Sequence, residues 1–90
     1  MRSEEINAAN QEASEALGHA TQMYERIVAL TPNDPNSQLE LAQTAQQAGD
    51  YTKAIAAYER IIKLAPDDPT VELVKEQVKQ LKQFTNPGTG

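Results

Sequence analysis

The chain has 90 residues, 39% of them apolar, a net charge of −5, and neither cysteine nor tryptophan. That length makes one small domain with a thin, alanine-rich core, and the missing thiols exclude a disulfide framework and cysteine chemistry. Residues 1–50 set eight acids against Arg2 and Arg26, while residues 51–90 set five against six bases, a balance without the basic clusters that phosphate backbones require.

No apolar run approaches the roughly 20 residues that cross a bilayer. The opening MRSEEINAANQEAS has no apolar stretch suited to a signal peptide. The expectation is a soluble chain without membrane insertion, cytoplasmic by default, or a domain cut from a larger or membrane-anchored protein.

Residues 3–19 call for a first helix and a turn, but Gly18 is the only breaker there. Either the chain folds back near Gly18, or residues 3–30 run as one helix, because a lone glycine costs about 1 kcal/mol in a helix interior. The fold-back is the expected outcome, since an array needs its end covered. In the continuous alternative, the first helix leaves its partner bare and a second copy of the protein would cover it.

From residue 20 the sequence repeats itself. Shifted by 34, residues 20–35 and 54–69 agree at nine of sixteen places, with YERIVALTPNDP answered by YERIIKLAPDDP. A period between 20 and 50 residues marks stacked supersecondary units. Ala54, Tyr58, Ile61 and Ile62 fall at i, i+4, i+7 and i+8, one face of a helix. Pro66 ends that helix; Asp68 then caps the next, with Pro69 at its first position. Pro32, Asp34 and Pro35 write the same stop and restart. Between them, Gly49 closes one helix in the left-handed conformation and Asp50 opens another. Residues 35–48 and 51–64 therefore form an antiparallel pair, brought close by Ala42, Ala45, Ala48, Ala54 and Ala57.

In TVELVKEQVKQLKQF, Val71, Val74, Val78 and Leu81 form an apolar stripe. Glu72, Glu76, Lys79 and Gln83 form a second, polar one, as a terminal solvating helix requires. The tail TNPGTG has nothing to bury and is expected to be disordered.

The stretch GDYTKAIAAYERIIKLAPDDP resembles the second half of a tetratricopeptide repeat. The matching residues are Leu41, Ala42, Gly49, Asp50, Tyr51, Ala54, Tyr58 and Pro66. Gln38 stands where that family often has Trp, and Ala45 where it usually has Tyr. The family's Gly-Asp-Tyr turn is replaced in the first copy by Glu15-Ala16-Leu17, with Gly18 three residues late. The resemblance implies an all-α solenoid of antiparallel helix pairs, about two and a half repeats in one domain over residues 1–84. Its parts are a degenerate first repeat at 1–34, a clear repeat at 35–68 and a capping helix at 69–84, with the tail at 85–90.

Little here supports catalysis. His19 is alone beside Gly18, so a surface role outweighs a metal site, and no cofactor is implied. Asp68 is accounted for by capping and Asp67 by solvent; the tyrosines fall on the family's packing positions. The resemblance implies instead a non-enzymatic interaction module whose concave face holds a partner protein or peptide. Carried over residue by residue, that face is Asn36, Leu39, Gln43, Gln46, Gln47, Leu73, Gln77 and Gln80. Its glutamines offer donors and acceptors to an extended backbone, although plain solvation accounts for them as well. Some members clamp the carboxylate terminus of chaperones with Lys, Asn and Arg; Glu5, Ala9, Glu40, Thr70 and Val74 stand at those places here, which argues against that ligand. The other functional reading is self-association through the N-terminal helix, as a homodimer or assembly element.

Overall fold

In the computed structural model, the backbone is described for residues 2–85 and the side chains for residues 15–85. The chain forms four helices: α1 (Arg2–Leu30), α2 (Pro35–Gln47), α3 (Tyr51–Leu64) and α4 (Val71–Thr85). Each packs on its neighbour in the chain, α1 on α2, α2 on α3 and α3 on α4. This is an all-α solenoid of antiparallel pairs.

The boundaries come from local chemistry. The Asp34 carboxylate accepts from the Asn36 N–H at 2.9 Å and from the Ser37 hydroxyl at 3.3 Å, with Pro35 in the first turn. These contacts satisfy donors that no preceding helical carbonyl can reach. Gly49, at φ 82°, ends α2. The Asp50 N–H donates to the Ala45 carbonyl at 2.9 Å, and that of Gly49 to Gln46 at 3.1 Å, a doubly closed C-terminus that needs a left-handed residue. Asp50 then starts α3 by accepting from the Lys53 N–H at 3.2 Å. A Cβ added at Gly49 would meet nothing within 4 Å, so its cost lies in the backbone alone. Gly49→Ala is expected to lower stability by about 1 kcal/mol and Gly49→Asn by less, because asparagine tolerates the left-handed region; urea midpoints of the two variants check this.

Two boundaries differ from the sequence expectation. α4 starts at Val71, not at Pro69. The Thr70 N–H and hydroxyl both donate to the Asp68 carboxylate, at 2.8 and 2.6 Å, and this local turn holds residues 68–70 out of the helix. The same hydrogen bonds lower the Asp68 pKa. At its far end α4 includes Thr85; the rest of the tail, residues 86–90, lies outside the described residues.

The larger correction is at the N-terminus. The expected fold-back near Gly18 is absent, and residues 2–30 form one helix. Gly18 has no helix breaker beside it, and the Thr21 hydroxyl donates to the Leu17 carbonyl at 2.7 Å across the turn that contains it. Folding back would forfeit a turn of backbone hydrogen bonds, against the modest helical penalty of one glycine.

The core gathers Leu41, Ala42 and Ala45 of α2, Ala54, Ile55, Ala57, Tyr58 and Ile61 of α3, and Val74, Val78 and Leu81 of α4. Ala42, Ala45 and Ala54 are wholly inaccessible, so the α2 and α3 backbones approach closely. Gln38 is buried too, its amide donating to the Pro32 carbonyl at 3.4 Å. Tyr24 and Val28 bring one side of α1 against this core. Exposed ion pairs add to this, Lys53 of α3 reaching Glu25 of α1 at 2.9 Å and Lys82 of α4 reaching Glu59 of α3 at 3.4 Å. Glu72, Glu76, Lys79 and Gln83 on the outer side of α4 are all exposed.

Candidate functional site

α2 and α4 flank a groove floored by α3. Its main stretch has a volume of about 670 Å³ and is lined by Gln43, Gln46 and Gln47 of α2, Gln77, Gln80, Leu81 and Phe84 of α4, and Tyr51 and Tyr58 of α3. A second stretch of about 310 Å³ continues it past Gln43, Tyr58 and Gln77 to Leu39, Thr70, Leu73 and Val74. Helical spacing produces this arrangement: Leu39, Gln43, Gln46 and Gln47 follow one face of α2, and Leu73, Gln77 and Gln80 one face of α4.

The structure thus brings together seven of the eight residues carried over from the repeat pattern. Asn36 is the exception. It is exposed at the start of α2, where its backbone N–H serves the Asp34 cap, and it lines neither stretch.

Sequence reasoning missed the aromatic residues. Tyr51 and Phe84 stack at one end of the groove, with ring centroids 5.2 Å apart and planes 29° from parallel. Phe84 follows Gln77 and Gln80 at i+7 and i+4, and that spacing was the available signal. Tyr58 serves two layers. Its ring is in the core, while its hydroxyl donates to the Gln46 side-chain oxygen at 3.0 Å. Burial raises the Tyr58 pKa, which keeps the phenol a neutral donor and leaves the Gln46 amide N–H₂ free to turn outward.

Among the described residues, no charged side chain lines either stretch, although 23% of the chain is charged. The groove runs from an apolar end, where Leu73 is 73% exposed, through a band of amides to the stacked aromatic pair. Amides donate and accept without regard to sign, and this array suits a main chain better than an ionised group. Thr70 and Val74 face the leucine end without a lysine or arginine beside them, and Glu40 is exposed; the side chains of Glu5 and Ala9 lie outside the described residues. Elsewhere His19 is exposed on α1, and no group of three or more His, Asp or Glu is placed to hold a metal ion among the described residues. No helix among them is long and apolar enough to cross a membrane.

Comparison with protein families matches residues 8–79 to the tetratricopeptide repeat. Searches of the curated proteins and of the solved structures return no significant match.

Proposed function

The chain belongs to the tetratricopeptide repeat family, and from that premise we propose that it holds an extended, uncharged stretch of a partner protein along the groove between α2 and α4. Repeats of this family are generally protein–protein interaction modules and typically not enzymes. What carries the finer reading is the lack of charge among the described residues that line the groove, in a protein with net charge −5. A charged peptide would be desolvated there without a counter-charge, a cost that a neutral backbone avoids. The glutamines pair with main-chain N–H and C=O groups, while Leu39 and Leu73 at one end and the Tyr51–Phe84 pair at the other take apolar side chains.

A displayed library of random peptides, selected on the native chain, tests this. The recovered sequences should be poor in Asp, Glu, Lys and Arg. Their binding should hardly change with salt and weaken roughly 10- to 100-fold in the combined Gln43→Glu and Gln77→Glu variant, which sets two carboxylates against partner carbonyls. Enrichment of charged peptides, or affinity that survives both substitutions, would overturn the reading.

A further inference from the structure

The internal repeat shows what α1 lacks. Met23 and Ile27 of α1 occupy the repeat positions of Ala57 and Ile61 of α3. The α3 pair is 3% and 7% exposed, because α2 and α4 both pack on that helix; the α1 pair is 63% and 40% exposed, because among the described residues α2 alone packs on α1. Leu30, at 84%, continues the bare face. Thr21, Tyr24 and Val28 are the residues α1 turns inward, so this apolar face is distinct from the one already used.

The spacing of that face matters more than its exposure. Ala16, Ala20, Met23, Ile27 and Leu30 succeed one another at alternating intervals of four and three, the a/d seam of a coiled coil. The alternation continues upstream through Ala13, Ala9 and Ile6 in the same uninterrupted helix. Eight consecutive seam positions are apolar, and a seam sustained over more than three heptads is the pattern of helices that pair.

We propose that α1 pairs antiparallel with α1 of a second copy of this chain. Both volume and charge select that occupant and that direction. With Ala16 of one chain opposite Ala20 of the other, Met23 falls opposite Ala13 and Ile27 opposite Ala9, so large residues meet small ones in those layers, and Leu30 meets Ile6 only at the two ends. A parallel, in-register pair sets Met23 on Met23 and Ile27 on Ile27, then leaves four successive alanine layers, and the two helices cannot keep one separation. In the antiparallel register the flanking positions bring Glu12 of each chain beside Arg26 of the other, an opposite-charge pair made twice. The parallel register sets Glu12 beside Leu17 and Arg26 beside Thr31, with no such pair. Among the described residues, no side chain of α1 lines the groove, so the dimer leaves both grooves open, and this inference stands or falls apart from the function proposed above.

Sedimentation equilibrium of the full chain over about 1–100 μM tests it. The expected mass at the upper end is twice the 9.9 kDa of one chain. Met23→Glu combined with Ile27→Glu should weaken the dimer at least about 100-fold by placing carboxylates in the seam, with the helical circular dichroism of the monomer retained, because both residues are exposed in it. Glu12→Arg and Arg26→Glu should each weaken association roughly tenfold, and together should restore it to within about threefold of the native chain. A native chain that stays monomeric throughout, a dimer that survives the two seam glutamates, single charge reversals without effect, or a combined reversal no better than either single one would each overturn the proposal.

Discussion

Replacing Tyr58 by alanine should leave the chain close to unfolded at room temperature. The side chain is 6% exposed at the centre of α3, within the cluster that joins α2 to α4. Truncating a buried aromatic costs about 3–5 kcal/mol. A 90-residue domain has in total some 5–13 kcal/mol by the usual stability per residue, and a thin, alanine-rich core places this one toward the lower end. Tyr58→Phe keeps the ring and removes only the hydrogen bond to Gln46, a loss of about 1 kcal/mol. Urea titrations of the two variants should therefore differ severalfold in the stability lost. An alanine variant as stable as the phenylalanine one would contradict the packing described here. The hydroxyl also gives the protein a dependence on alkaline pH. Since burial raises the Tyr58 pKa above the ordinary 10.0, its contribution is complete below that value and is lost as pH rises through the higher folded value. The phenylalanine variant lacks that portion of the loss.

Leu81→Ala should release α4 while leaving the α2–α3 pair formed. Leu81 is 2% exposed and, with Val74 and Val78, holds α4 on α3. Its truncation costs about 2–5 kcal/mol. Because α4 packs on α3 alone among the described residues, most of that loss falls on a single interface, as nearest-neighbour stacking implies. Amide exchange within α4 should speed up 30-fold or more for a loss of about 2 kcal/mol, while the amides of α2 and most of α3 keep their protection. Uniform acceleration across all helices would show instead that the array melts as one unit. Leu73→Ala, at a position largely in solvent, is the control and should change stability by less than about 0.5 kcal/mol. Loss of α4 also removes one wall of the groove, so peptide affinity should fall with exchange protection.

What the sequence revealed best is what short-range chemistry decides. The repeat of 34, the Asp34–Pro35 restart, the Gly49 bend and the start of α3 at Tyr51 each depend on residues within a few positions of the boundary. The glutamine groove was legible for the same reason, since helical spacing and the repeat carry positions over without reference to the rest of the molecule. Three features were harder to read. Whether the chain turns at Gly18 depends on whether the segment before it gains by covering the segment after it, a balance of packing that one glycine does not signal. The start of α4 turned on the Thr70 side chain competing for Asp68. The aromatic end of the groove needed two helices 33 positions apart in sequence to bring Tyr51 to Phe84, and neither residue announces the other. Asn36 shares the period of the groove residues but sits in the first turn of α2, outside the groove lining.

The polar outer side of α4 gives the molecule a direction of growth. Any unit appended beyond that helix would be laid on carboxylates and ammonium groups, and would gain no dry surface in return. A further 34-residue unit would instead be accommodated ahead of α4, between existing units, where it would find oily neighbours on both flanks.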